Sequence, residues 1–479
     1  MNYRKKLIEV ALPLDAINDA SVYDKMPGIG SHPKNIHHWW ARLPLPCARA
    51  ILFASLIDDP SSDPAFKNQP EAVQDKERER LFSIIRLMMQ KQMHKHPEIY
   101  EEAYSEIVRS CQGKLPIVVD PFCGGGSIPI EAQRLGLEVF ATDINPVAVL
   151  TNKALIEILP EFSDHPPVNP ETTGNKLNQR SWSRAQGFAN DVQYYGNWML
   201  TQAKKRLGHL YPKIKLPESY GGSEVNVIAW RWARTVKCPN PVCGAEMPLV
   251  RSFALATKKG KKARIATSID RTKQPPIVNF EVKIDEGKPQ EGTINRKGAT
   301  CICCGTPVPL SYIRSEGMAG RISAKLMAII AEGHRRKLYL SPTDEHESIA
   351  SDIKIGDTLG TNLPEKALGF RTQPYGLVKH SDLFTPRQLL TLTTFSELVM
   401  EAHAHILKDA RTMWKRPTKE DLPLYQGGNG PNAYADAIAL FLAFAISRLA
   451  DYNCALSMWK PSCPLAHNYL HNHGVFFHN

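Results

Sequence analysis

No apolar run in this chain is long enough to cross a bilayer. The longest, Ala437 to Ile446, falls short of the roughly 20 residues a spanning helix needs and reads as a core helix. A secretory leader is also missing: the chain starts Met1-Asn2-Tyr3-Arg4-Lys5-Lys6 and runs into a short mixed segment. There are no internal repeats. Acidic residues are in deficit, 48 against 59 basic ones, and the net charge of +11 favours an anionic partner, of which nucleic acid is the usual one. Spread over so long a chain, the same excess also serves simple solubility. Hydrophobic content of 43% with 22% charged residues excludes disordered and fibrous classes. The expectation is a cytoplasmic protein without a membrane partner, built from roughly two to four domains.

A dinucleotide-binding pattern is incomplete as well, because Pro129 stands where the third glycine of G-x-G-x-x-G belongs. What is present is an apolar run, Leu115 to Val119, then Asp120-Pro121-Phe122-Cys123-Gly124-Gly125-Gly126-Ser127. The spacing predicts a strand, a glycine turn, a helix from Ser127 to Leu135 closed by Gly136, and a second strand, Leu137 to Ala141, ending at Asp143. Glycine lets backbone approach a ligand closely. An acid at the end of the second strand can accept hydrogen bonds from ribose hydroxyls, and Asp143 lies 23 residues after Asp120, near the roughly 20 expected. The run resembles motif I of S-adenosylmethionine-dependent DNA methyltransferases.

Five of the ten cysteines, Cys47, Cys111, Cys123, Cys454 and Cys463, are scattered. The others form two knuckles, Cys238-Pro239-Asn240-Pro241-Val242-Cys243-Gly244 and Cys301-Ile302-Cys303-Cys304-Gly305. Cys238, Cys243, Cys301 and Cys304 fit a four-thiolate structural zinc site, with Cys303 as a bystander or an alternative ligand. A glycine after each second cysteine suits a turn that aims N–H groups at sulfur. The knuckles stand 58 positions apart, and strand-like residues Val278 to Val282 between them predict an inserted hairpin or small sheet. From Arg251 to Lys273 eight basic residues face one acid. Lys258, Lys259, Lys261 and Lys262 around Gly260, with Arg264, read as a hairpin tip that lies along a phosphate backbone or as a solvated loop.

Near the start, His37-His38-Trp39-Trp40-Ala41-Arg42 either packs an N-terminal segment onto the sheet or closes the cofactor pocket with an aromatic wall. Helical spacing marks Cys47 to Ile57, Asp75 to Gln92, Glu98 to Ser110, Gln186 to Leu210, Arg321 to Arg335, Thr385 to Lys408 and Ala433 to Asn453. Phe162 to Asn178 reads as a linker, and Thr343 to Pro374 as a loop.

In order, His38-Trp39-Trp40-Ala41-Arg42-Leu43-Pro44, the Asp120–Ser127 turn, Asp143 to Pro146, both knuckles and Ala433-Tyr434-Ala435-Asp436-Ala437 resemble a known family over residues 8 to 459. These are adenine-specific DNA methylases with a zinc ribbon and an uncharacterised N-terminal domain carrying Trp-Trp-Ala-Arg, often found in phage-defence gene clusters. The family usually has arginine where Leu43 stands. The resemblance implies an α/β fold: a Rossmann-like S-adenosylmethionine-dependent methyltransferase core with an inserted zinc ribbon and helical extensions. The segments are 1–60, family-specific; 61–160, helical lead-in and first half of the core; 161–235, linker and helix; 236–315, zinc ribbon with basic insertion; 316–459, helical; and 460–479, a divergent tail. Asp120, Phe122, Gly124 and Gly126 would lie under the methionine moiety, Asp143 on the ribose and Ile144 against the adenine.

The tetrapeptide with which amino-methyltransferases orient the target amine and stack on the flipped base, Asp/Asn/Ser-Pro-Pro-aromatic, is not found. The Pro-Pro pairs, His165-Pro166-Pro167-Val168 and Gln274-Pro275-Pro276-Ile277, do not fit it. The catalytic residues are therefore unknown. The expectation is the N-terminal part of a methylase, ended early, whose partners are DNA and a downstream polypeptide carrying the catalytic half, or other defence-system subunits. The competing readings are a non-catalytic DNA-binding or assembly subunit with a vestigial pocket and, more weakly, an RNA-modifying enzyme.

Overall fold

Helical periodicity dominates the first hundred residues, and helices are what they form. A computed structural model describes residues 4–26, 29–30, 32–173, 182–334, 336–353, 355, 360–365, 371–414, 421–457, 459, 461 and 476–478. The chain divides into two units, Met1–Tyr195 with His403–Phe444, and Gly196–Ala402 with Ala445–Asn479.

In the first unit, helix Leu45–Leu56 opens with Pro46 in its first turn, where a missing N–H costs nothing, and buries Ala50, Phe53 and Ala54. Helix Glu71–Met88 buries Leu81, Ile84, Ile85 and Met88, spaced so that they share one face. Helix Pro97–Ser110 does the same with Ile99, Ala103 and Ile107. These side chains join Ala132, Leu135 and Leu137 in one core, so segments 1–60 and 61–160 share an interior.

The expected strand–helix–strand is present. Val118–Asp120 and Val139–Ala141 pair in parallel, with Val119 opposite Phe140, and helix Ser127–Arg134 lies between them in sequence. Val118 and Val139 pack on the helical core. Val119 and Phe140 point the other way and are 67% and 58% exposed. Parallel sheets are normally covered on both faces; this one holds two strands among the described residues and is covered on one. Beyond the second strand, the Asn145 side chain caps helix Pro146–Lys153, which runs on as a wider turn, Ala154–Ile158.

The stretch read as a linker is packed where it is described. Phe162, Val168 and Asn169 are buried, and the buried Asp191 carboxylate accepts hydrogen bonds from the Val168 and Asn169 N–H groups at 2.7 and 3.0 Å. The Tyr434 hydroxyl donates to the same carboxylate at 2.7 Å. Its anchors come from distant sequence, so local composition could not show them; residues 174–178 lie outside the described residues. The apolar run Ala437 to Ile446 proves to be the middle of a 22-residue helix, Pro431–Tyr452. By length and composition alone this helix is long and apolar enough to cross a membrane, a correction to the reading from run length. It nonetheless carries partners typical of a packed protein helix, for Asp436 meets His403 at 2.8 Å and the Leu424 N–H at 2.9 Å.

The second unit is built on strand Val227–Lys237, flanked by the antiparallel strands Ser323–Gly333 and Glu246–Leu249, with Arg336–Leu340 paired to Ser323–Gly333. Phe476–His478 runs parallel to the central strand, and the rest of the 460–479 tail, apart from residue 461, lies outside the described residues. Most of the stretch expected as a helix from Arg321 is thus a strand, Ser323–Gly333, so segment 316–459 is not wholly helical. Its run Leu326 to Ala331 is buried throughout, and a short, uniformly apolar run carries no period that separates the two states. The Thr343–Pro374 loop contains helix Asp344–Ser351, capped by the Thr343 side chain. Between the knuckles lies a three-stranded antiparallel sheet, Ala254–Ala256, Ala263–Asp270 and Ile277–Lys283.

Candidate cofactor loop and four-cysteine centre

The glycine turn is fixed by the side chains of Trp39, Arg42 and Asn152. Gly124 and Gly126 hold φ of +47° and +84°, conformations that L side chains avoid. A β-carbon on Gly124 would fall 2.7 Å from Trp39 Nε1, on Gly125 2.8 Å from Arg42 Cγ, and on Gly126 2.7 Å from Asn152 Oδ1. Arg42 donates to the Gly125 and His37 carbonyls at 2.7 and 2.9 Å. Asn152 donates to the Gly124 carbonyl at 3.0 Å. Ser127 donates from its hydroxyl to the Leu43 carbonyl at 2.6 Å. The departure at Leu43 is thereby explained: the position contributes a carbonyl, which any residue supplies. The Trp-Trp-Ala-Arg segment braces the loop through Trp39 and Arg42, while Trp40 is 93% exposed.

Asp143 joins the two strand ends. Its carboxylate accepts from Gly124 N–H at 2.9 Å and Asn145 N–H at 2.8 Å. These bonds, from Asn145 first and then Gly124, hold its pKa below the usual carboxylate value. A carboxylate has four lone-pair sites, so these bonds leave it capacity to accept more. Asp120 turns back to accept from Phe122 N–H at 3.1 Å. Phe122 and Ile144, expected against the ligand, stand open at 86% and 101% exposure. Cys123 is buried, and burial, then Asp143 and Asp120, push its thiol up to about 11, which favours the protonated form at neutral pH. Sequence reasoning missed Asn152 and the supporting Glu131. Glu131 is fully buried and receives Arg49 at 2.9 and 3.2 Å, Arg134 at 2.8 Å and Tyr100 at 2.9 Å. Each has a key partner far away in sequence, Gly124 for Asn152 and Arg49 for Glu131.

The structure brings the Cys238, Cys243, Cys301 and Cys304 sulfurs within 4.8 Å of one another. The Cys238–Cys304 and Cys243–Cys301 separations are 3.7 and 3.9 Å. A tetrahedron of sulfurs about 2.3 Å from zinc has edges of roughly 3.8 Å, so the set fits that ion. Three of the sulfurs are buried and Cys304 is exposed. Cys303 stays outside the cluster; its thiol is pushed up to about 11, chiefly by burial, and its carbonyl accepts from Arg271 at 2.7 Å.

Lys258 to Lys262 do form a hairpin tip, closed by Lys261 N–H to the Lys258 carbonyl at 3.0 Å. Acids beyond the third strand partly neutralise it. Lys262 pairs with Glu286 at 2.9 Å, and Arg264 makes a two-pronged bond to Asp285 at 2.8 and 2.7 Å. Lys258, Lys259 and Lys261 remain exposed. This tip belongs to the second unit and the glycine loop to the first.

Residues 101–200 match the family of D12 class N6 adenine-specific DNA methyltransferases. This segment is of the DNA-methyltransferase kind. It holds the glycine loop, Asp143 and Asn152. Residues 11–84 match a family described as a protein of unknown function (DUF1156), and they include the Trp39–Arg42 brace. Searches of curated proteins and of solved structures gave no significant match.

Proposed function

We propose that this chain is the cofactor- and DNA-binding part of an S-adenosylmethionine-dependent methyltransferase acting on the adenine amino group, in phage defence or restriction. The observation that carries the reading is the join between Gly124 N–H and Asp143 at the mouth of the parallel strand pair. It sets a side-chain-free loop beside an acid with lone pairs to spare, within the segment that matches the methyltransferase family. S-adenosylmethionine supplies the methyl group as a sulfonium. The glycine loop admits its methionine portion, Asp143 holds its ribose, and Phe122 and Ile144 offer apolar surface to its rings. Structural zinc on the four cysteines fixes the ribbon from which the basic hairpin projects toward DNA, and a DNA substrate goes with the cytoplasm.

The exposed Val119–Phe140 face supports a Rossmann-like sheet completed by further polypeptide, which brings the Asp/Asn-Pro-Pro-aromatic motif. The same incompleteness favours, as second reading, a DNA-binding or assembly subunit with a vestigial pocket. The test adds labelled S-adenosylmethionine and unmethylated DNA to the purified chain, alone and with the product of the adjoining reading frame. Cofactor binding lost in Asp143→Ala, with label in DNA only when both polypeptides are present, is the expected result. Label in DNA from the single chain overturns the split, and cofactor binding without transfer in either mixture favours the second reading. No cofactor binding removes the proposal.

A further inference from the structure

Beside the second cysteine knuckle, the second unit holds a cavity of about 720 Å³, within the roughly 300–1,000 Å³ usual for small-ligand sites. Five arginines line it, Arg234, Arg251, Arg296, Arg314 and Arg371, and no aspartate or glutamate does. None of the five forms an ion pair among the described residues. Other exposed arginines of this unit have acids, Arg264 with Asp285 and Arg321 with Glu316, whereas the buried Arg231 and Arg387 form no ion pair among the described residues. Arg234 forms the floor. It sits on the central strand opposite Leu249 and Ala324, is 9% exposed, and burial holds its pKa below the ordinary arginine value. Arg251, Arg296, Arg314 and Arg371 are exposed and stand at the rim. The wall also carries Thr372, whose buried hydroxyl has no hydrogen-bond partner among the described residues. A guanidinium cluster with no carboxylate repels itself, and an orphan hydroxyl is a cost to folding. An oxyanion relieves both, because guanidinium forks match phosphate geometry and a hydroxyl donates to it.

We propose that this cavity binds the phosphate oxyanions of a nucleotide, carried either within a DNA strand or as a free nucleoside triphosphate. The strand form rests on the DNA-methyltransferase reading; the anion site itself does not. None of the hairpin lysines lines it, so it gives the ribbon a second hold on phosphate, in which Arg234 meets the buried oxygen and the rim arginines meet its neighbours.

The test uses the full chain and its Arg296→Ala/Arg371→Ala double variant, both of whose sites are exposed, so that folding is preserved. Arg234→Gln serves as a second variant, with circular dichroism as its folding check. Binding of a labelled single-stranded oligonucleotide, of ATP and of inorganic tripolyphosphate is measured across a salt series. The double variant is expected to bind the oligonucleotide roughly tenfold more weakly, with a log–log salt slope shallower by about 1.4 if two phosphate contacts are lost. Tripolyphosphate then competes with the oligonucleotide. ATP binding that the variant abolishes, with oligonucleotide binding unchanged, assigns the free nucleotide as the source. Unchanged affinity for all three probes in both variants overturns the proposal. S-adenosylmethionine binding is followed in parallel. If it is absent while tripolyphosphate still binds through these arginines, the methyltransferase reading fails and the anion site stands; if it persists while the arginine variants change nothing, the reverse holds.

Discussion

At Gly124 the cost of a single methyl group can be stated. Forcing alanine to φ +47° costs about 1–2 kcal/mol, and its β-carbon would meet the Trp39 indole nitrogen at 2.7 Å. Gly124→Ala should therefore displace either the loop or its brace and weaken S-adenosylmethionine binding at least roughly tenfold, measured by calorimetry, with the helical signal unchanged. Cys123 makes a pH prediction. Its folded pKa is raised to about 11 from an ordinary 9.0, so the folded state keeps a proton that the unfolded chain releases. The stability this site contributes is complete below pH 9, and it is lost as pH rises toward 11. Urea midpoints at pH 8 and pH 10.5 should fall less steeply for Cys123→Ala than for the unaltered chain.

Among the elements, the two knuckles and the hairpin invite separate tests. Cys304→Ser removes a sulfur from the cluster and should lower bound zinc per chain. Cys303→Ser, outside the cluster, should leave it unchanged by mass spectrometry under native conditions. Lys258→Ala with Lys259→Ala and Lys261→Ala removes the tip charges that form no ion pair among the described residues. It should weaken duplex binding and flatten its salt dependence by as much as about 2.7, at roughly 0.9 per phosphate contact. Changing Lys262 or Arg264, already held by Glu286 and Asp285, should do less. The strand–helix–strand and the knuckles were legible because local signals specify them: a glycine turn between apolar runs, and cysteines at short spacing. The Ser323–Gly333 strand was not, because the burial that selects strand over helix comes from Val227–Lys237, about a hundred residues earlier in sequence. The loop's brace was half legible. Trp39 and Arg42 stood out as unusual residues, whereas Asn152 is an ordinary polar side chain until the helix places it under Gly126.

For the molecule as a whole, the charge excess and the half-covered sheet pull in different directions. Charge keeps chains apart, while Val119 beside Phe140 on a parallel pair offers an apolar surface with open backbone edges. Val119→Asp with Phe140→Asp should reduce both apolar-dye fluorescence and light scattering of the isolated chain and, under the proposed split, should prevent assembly with the second polypeptide. Zinc content should remain as it was, because the cysteine cluster belongs to the other unit.

That uncovered face also bears on how cells must make this protein. A surplus copy presents to quality-control proteases and chaperones the kind of surface they recognise on unfinished chains. With the proposed second polypeptide as the cover of Val119 and Phe140, its abundance should follow the supply of that polypeptide and not its own rate of synthesis. Encoding both on one message would keep their numbers matched and let the cover arrive while the strands are still emerging from the ribosome.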